Sequence, residues 1–91
     1  MNDLYDNGDF TIDQRLDCTG LRCPLPLLRT KQQVARLAPG TVLEVTASDA
    51  GALRDIPAWL AHTPHRLLAQ AEQNGLYLFV IACAADSTSA T

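Results

Sequence analysis

The sequence predicts a two-layer α/β sandwich of order β-α-β-α-β-β, with a four-stranded mixed sheet carrying both helices on one face. Three observations point there. Strand-like alternation, helix-like spacing and a second β-branched run follow one another over residues 11–47, the pattern of a βαβ unit. Asn74-Gly75 stands between two strand-like runs and signals a hairpin. Finally, 91 residues of which 47% are apolar suffice for one core rather than two.

Residues 11–18 alternate, with Ile12, Leu16 and Cys18 on one face, and read as the first strand. Thr19-Gly20 breaks the pattern. Residues 24–38 read as a helix with Pro24 and Pro26 in its first turn, where the N–H groups they lack would be unpaired anyway. Leu27, Val34, Leu37 and Ala38 form its apolar stripe, while Arg29, Gln32, Gln33 and Arg36 face water. Pro39-Gly40 ends it. Residues 41–47, Thr-Val-Leu-Glu-Val-Thr-Ala, make a second strand parallel to the first. After a loop containing Ser48, Asp49 and Gly51, Asp55 is the expected cap of a second helix over 56–62, with Pro57 in its first turn. Residues 66–73 and 76–83 form the closing hairpin.

The last strand is apolar on both faces from Leu76 to Ile81. A central position in the sheet explains that pattern; an outer patch for self-association or docking is the alternative. Residues 1–10 and 85–91 read as flexible tails around a single domain at 11–84.

Seven basic against ten acidic residues give a net charge of −3, which argues against a grip on nucleic acid through phosphate neutralisation. No run approaches the roughly 20 apolar residues of a membrane span, and residues 1–6 lack the features of a signal peptide. The expectation is a cytoplasmic protein in a reducing compartment. Its three cysteines, Cys18, Cys23 and Cys83, are an odd, irregularly spaced set and a poor disulfide framework.

Cys23 is the candidate nucleophile. It lies where the first helix begins, so unpaired N–H groups and the positive helix end are expected to favour its thiolate. Pro24 and Pro26 stiffen the turn and leave Leu25 as the main N–H donor to the sulfur, and Arg22 adds a positive neighbour. The ends of parallel strands meet on one edge, so the Ser48-Asp49 loop is expected beside Cys23, with Asp49 as a supporting carboxylate. Cys18 and Cys83 read as buried small hydrophobes, the alternative for Cys18 being a resolving thiol. His62 and His65 flank Thr63-Pro64, but the cysteines lie on other elements without paired spacing, so no metal site is expected. Trp59 reads as core, and Asp17 as a turn residue.

The stretch Leu16-Asp17-Cys18-Thr19-Gly20-Leu21-Arg22-Cys23-Pro24-Leu25-Pro26 resembles the signature of the TusA/SirA sulfur-carrier family, Gly-Leu-x-Cys-Pro-x-Pro. The resemblance runs over about residues 13–83, through Pro39-Gly40, Ser48-Asp49, Asp55-Ile56-Pro57 and His65. Where relatives commonly have Gly-His before the third strand, this chain has Pro64-His65. The resemblance implies a two-layer sandwich and a sulfurtransferase, and no cofactor is expected. Cys23 would receive a persulfide from a cysteine desulfurase or rhodanese-like donor and pass it to an acceptor protein. The routes served in such relatives include tRNA thiolation and molybdenum-cofactor maturation. A monomer is expected. A thiol-redox or regulatory docking adaptor using the same surface is the competing reading.

Overall fold

The computed structural model describes residues 10–84, so the expected tails at 1–10 and 85–91 lie, apart from Phe10, outside the described residues. The elements are β1 (Gln14–Cys18), α1 (Leu25–Arg36), β2 (Val42–Ala47), α2 (Ala52–Leu60), β3 (Arg66–Gln73) and β4 (Leu76–Ala82), in the expected order. The four strands form one mixed sheet of order β1-β2-β4-β3. β1 pairs parallel to β2 with Leu16 opposite Val45, and β4 runs antiparallel to both β2 and β3.

Inward-facing side chains of the strands and one stripe of each helix make the core. Leu43, Val45, Ala47, Phe79 and Ile81 meet Val34 of α1 and Ala52, Ile56 and Leu60 of α2. The α1 stripe differs from expectation: Leu27, Val34 and Leu37 pack inward, but Ala38 lies beyond the helix and is exposed. Pro26 and Thr30 are buried in its stead. Thr30 can be buried because its hydroxyl donates to the Pro26 carbonyl at 2.8 Å, four residues back along the helix.

β4 is a central strand, which accounts for its apolar sequence. Leu78 and Val80, on the face opposite Phe79 and Ile81, are buried as well. Among the described residues the large exposed apolar side chains are Leu25, Leu28, Leu53 and Leu68, none of them on β4. Asn74 and Gly75 both take positive φ, 54° and 79°, as a tight two-residue hairpin turn between right-twisted strands requires.

The second helix corrects the sequence reading. It begins at Ala52, not at residue 56, so Asp55 lies inside its first turn instead of capping it. The Asp49 carbonyl accepts from Ala52 N–H at 3.1 Å and the Gly51 carbonyl from Asp55 N–H at 2.9 Å, so the loop winds directly into the helix. Ala52, Leu53 and Arg54 are good helix formers and extend it toward the strand. Pro57 therefore sits within the helix, beyond its first turn.

Candidate functional site

The β1–α1 loop and the β2–α2 loop are tied together at the C-terminal edge of the two parallel strands. Gly20 N–H donates to the Ser48 hydroxyl at 2.8 Å across the two loops. Within the first loop, the Asp17 carboxylate accepts from Thr19 N–H at 2.9 Å. Hydrogen bonding from the Thr19 side chain, with this backbone bond second, holds the Asp17 carboxyl below its ordinary value. Leu21 N–H returns to the Cys18 carbonyl at 3.1 Å, which turns the chain out of the core toward Cys23.

Cys23 is exposed on this edge, just before α1, and the Ser48-Asp49 loop lies against it as the parallel pairing requires. Gly51 is the point of closest approach. A Cβ placed there would stand 3.0 Å from Cys23 Cβ, 3.3 Å from its Sγ and 2.7 Å from Asp49 Oδ2. Gly51 has ordinary helical dihedrals, so glycine is needed here for space, not for conformation. Asp49 Oδ2 accepts from Gly51 N–H at 2.9 Å, which fixes the loop that backs the cysteine.

The electrostatics of the sulfur are the reverse of the expectation. Leu25 N–H donates to the Arg22 carbonyl at 2.7 Å, and Pro24 holds the cap position with no side-chain hydrogen bond. The N–H expected to stabilise a thiolate is thus engaged elsewhere. The sulfur's partner is Asp55, whose Oδ2 accepts from the Cys23 thiol at 3.0 Å. That hydrogen bond is the largest cause of a thiol pKa above its ordinary value, reinforced by desolvation and by the negative charges of Asp55 and Asp49. Arg54 acts in the opposite direction; Arg22, the expected positive neighbour, is not among the causes. A full negative charge in contact outweighs a helix end that carries about half an elementary charge.

Asp55 lies in the first turn of α2, and the Nε of the exposed Arg54 lies 3.8 Å from its Oδ1. The Asp55 side chain is only 22% exposed, whereas Cys23 is exposed. The sequence reading has Asp55 only as a helix cap and Gly51 only as a loop residue, and gives Arg54 no role. Because α2 follows β2 directly, the chain topology that brings Ser48 and Asp49 to this edge brings Gly51, Arg54 and Asp55 with them.

Cys18 is fully buried in the core and Cys83 nearly so, and burial raises both thiols. His65 is buried, and its Nδ1 accepts from Ala84 N–H at 3.0 Å. Its ring lies 6.1 Å from Trp59, on the rim of a cavity of about 250 Å³ that Lys31, Val34 and Leu37 also line. That cavity shares no residue with the Cys23 edge.

Proteins called sulfur carrier protein TusA match closely. The one from Pseudomonas putida is 45% identical over 78 residues, covering 86% of this chain and 98% of the relative. The one from Pseudomonas aeruginosa is 42% identical over 76 residues, covering 84% and 96%. A solved SirA-like protein from Desulfitobacterium hafniense shares the fold, with a TM-score of 0.60 at 21% identity over 80% of this chain and all of that one. The model of the family described as sulfurtransferase TusA matches residues 14–82, and the chain therefore belongs to that family.

Proposed function

We propose that this protein is a sulfur-relay carrier that holds a persulfide on Cys23, taken from one protein and delivered to another. The observation that carries the reading is an exposed cysteine in the Cys23-Pro24-Leu25-Pro26 segment of a TusA-family chain, presented on the edge where two loops are tied together. Pro24 and Pro26 limit the backbone around the sulfur, and Gly51 leaves room beside it. The transfer joins two proteins directly, so the sulfur must face outward rather than into a pocket. Leu25 and Leu28, 42% and 43% exposed on the adjoining helix, offer apolar area for a partner to cover. A cysteine desulfurase or rhodanese-like protein in the cytoplasm is the donor class that fits, and the acceptor is a protein thiol serving tRNA thiolation, molybdenum-cofactor maturation or related sulfur metabolism.

The test is incubation with a cysteine desulfurase and cysteine, followed by peptide mass spectrometry. A gain of one sulfur atom on the Cys23 peptide, lost in Cys23→Ser, is the expected result. Equal labelling of Cys23→Ser would overturn the reading. The redox-adaptor reading needs Cys18 to leave the core, and it would show instead as a Cys18–Cys23 disulfide in the same experiment.

A further inference from the structure

We propose that Asp55 is the proton acceptor of sulfur transfer at Cys23, taking the thiol proton as the sulfur attacks and returning it to the departing thiolate. The inference rests on the carrier reading and adds to it a second reacting group. Asp55 Oδ2 stands 3.0 Å from Cys23 Sγ, within reach for direct proton transfer. An ionised carboxylate has no hydrogen to offer a thiolate, so the bond exists with the thiol donating, and its proton already lies on the path to Oδ2. The charged groups around the sulfur are Asp49 on the β2–α2 loop and Asp55 and Arg54 on α2. Asp49 is occupied by Gly51 N–H, and Arg54 is directed at the other oxygen of Asp55, which leaves Oδ2 for the sulfur. Because Cys23 is exposed while the Asp55 side chain is mostly covered, a donor can reach the sulfur without displacing the acceptor of the proton.

The step balances without an external oxidant or reductant. Cys23 gives its proton to Asp55, and a sulfur electron pair forms a bond to the outer sulfur of a donor persulfide. The donor's S–S bond breaks with its pair on the donor's inner sulfur, which collects the proton from Asp55. Cys23–SH and donor–S–SH become Cys23–S–SH and donor–SH. Discharge is the same step in reverse with the acceptor's thiol in place of the donor's. A thiol that holds its proton firmly reacts slowly by itself and needs this partner; the same contact keeps idle Cys23 from side reactions.

The test compares wild type, Asp55→Asn, Asp55→Glu and Cys23→Ser in two rate measurements at neutral pH. The first is sulfur loading from glutathione persulfide, read as the one-sulfur mass gain on the Cys23 peptide. The second is alkylation of Cys23 by iodoacetamide, which needs only the thiolate. In Asp55→Asn the two rates should move apart. Loading should fall by about 10- to 100-fold, at or below the low end of the roughly 100- to 10,000-fold typical of a positioned proton acceptor, because thiolate becomes more abundant. Alkylation should rise severalfold as the negative neighbour is removed. Asp55→Glu should restore part of the loading, which a purely structural role would not require. Loading that is unchanged, or that rises with alkylation, would overturn the proposal while leaving the carrier reading intact. If both rates fall and Asp55→Glu rescues neither, Asp55 is structural and the proposal fails. If wild type takes up no sulfur at all, the carrier reading fails and this inference with it.

Discussion

Cys18 and Cys23 are separated by one short turn, yet they are different chemical objects. Both thiols hold their protons above the ordinary range. For Cys18 the first cause is desolvation in a core where it has no exposure at all. For Cys23 it is a hydrogen bond to a carboxylate at an exposed edge. The same direction of shift thus marks an inert thiol in one place and a restrained but reachable one in the other. Perturbation alone does not identify a reactive cysteine; its cause and its access do.

The widest separation of the two comes from serine substitution. Cys23→Ser should abolish sulfur loading and leave the denaturation midpoint in place, whereas Cys18→Ser should load normally. Cys18→Ser should instead lose about 1–3 kcal/mol of stability, the cost of a hydroxyl in an apolar site, measured by chemical denaturation. A folded Cys18→Ser that does not load would make Cys18 part of the chemistry and erase the distinction.

Gly51→Ala sharpens the Cys23 side of the comparison. Its helical dihedrals accept alanine, so any effect must come from the new methyl group meeting Cys23 and Asp49. Loading should slow severalfold while helix content, read by circular dichroism, is kept. Unchanged loading would mean that the cysteine and the loop part without consequence.

The smallest expected effect concerns the buried side. Cys18 and Cys83 have raised values when folded, whereas unfolded thiols ionise near 8.5. Below about pH 8.5 both states hold their protons and the contribution to stability is fully present. Above it the unfolded state loses protons first, so stability falls as pH rises toward the folded values. Denaturation midpoints measured from about pH 7 to 10 should decline, and less so in Cys83→Ala. A midpoint that rises over this range would contradict the assignment of both cysteines to the core.

Much of this was legible in the residues. The Asn74-Gly75 turn and the alternation around it located β3 and β4, because a tight hairpin admits few residue pairs at positive φ. The β1–α1–β2 order brought Ser48 and Asp49 to the Cys23 edge by topology alone. The start of α2 was not legible. Asp55 has the residue type of a cap, but Ala52, Leu53 and Arg54 continue the helix upstream, and local propensity could not choose between the two. Thr30 escaped notice for a related reason: a buried threonine shows its intrahelical hydrogen bond only once the helix exists.

For Cys23 itself, the sequence determined where it stands: at the turn from β1 into α1, stiffened by two prolines, with the Ser48-Asp49 loop across from it. Chain connectivity and the limited geometry of proline and parallel strands decide that much. Which charge meets the sulfur was decided only by tertiary structure. Leu25 N–H, close in the chain, turns back to Arg22, while Asp55, more than thirty residues away, supplies the hydrogen-bond acceptor. Electrostatic contact depends on distance through space, and packing of α2 against the edge, not spacing along the chain, sets that distance.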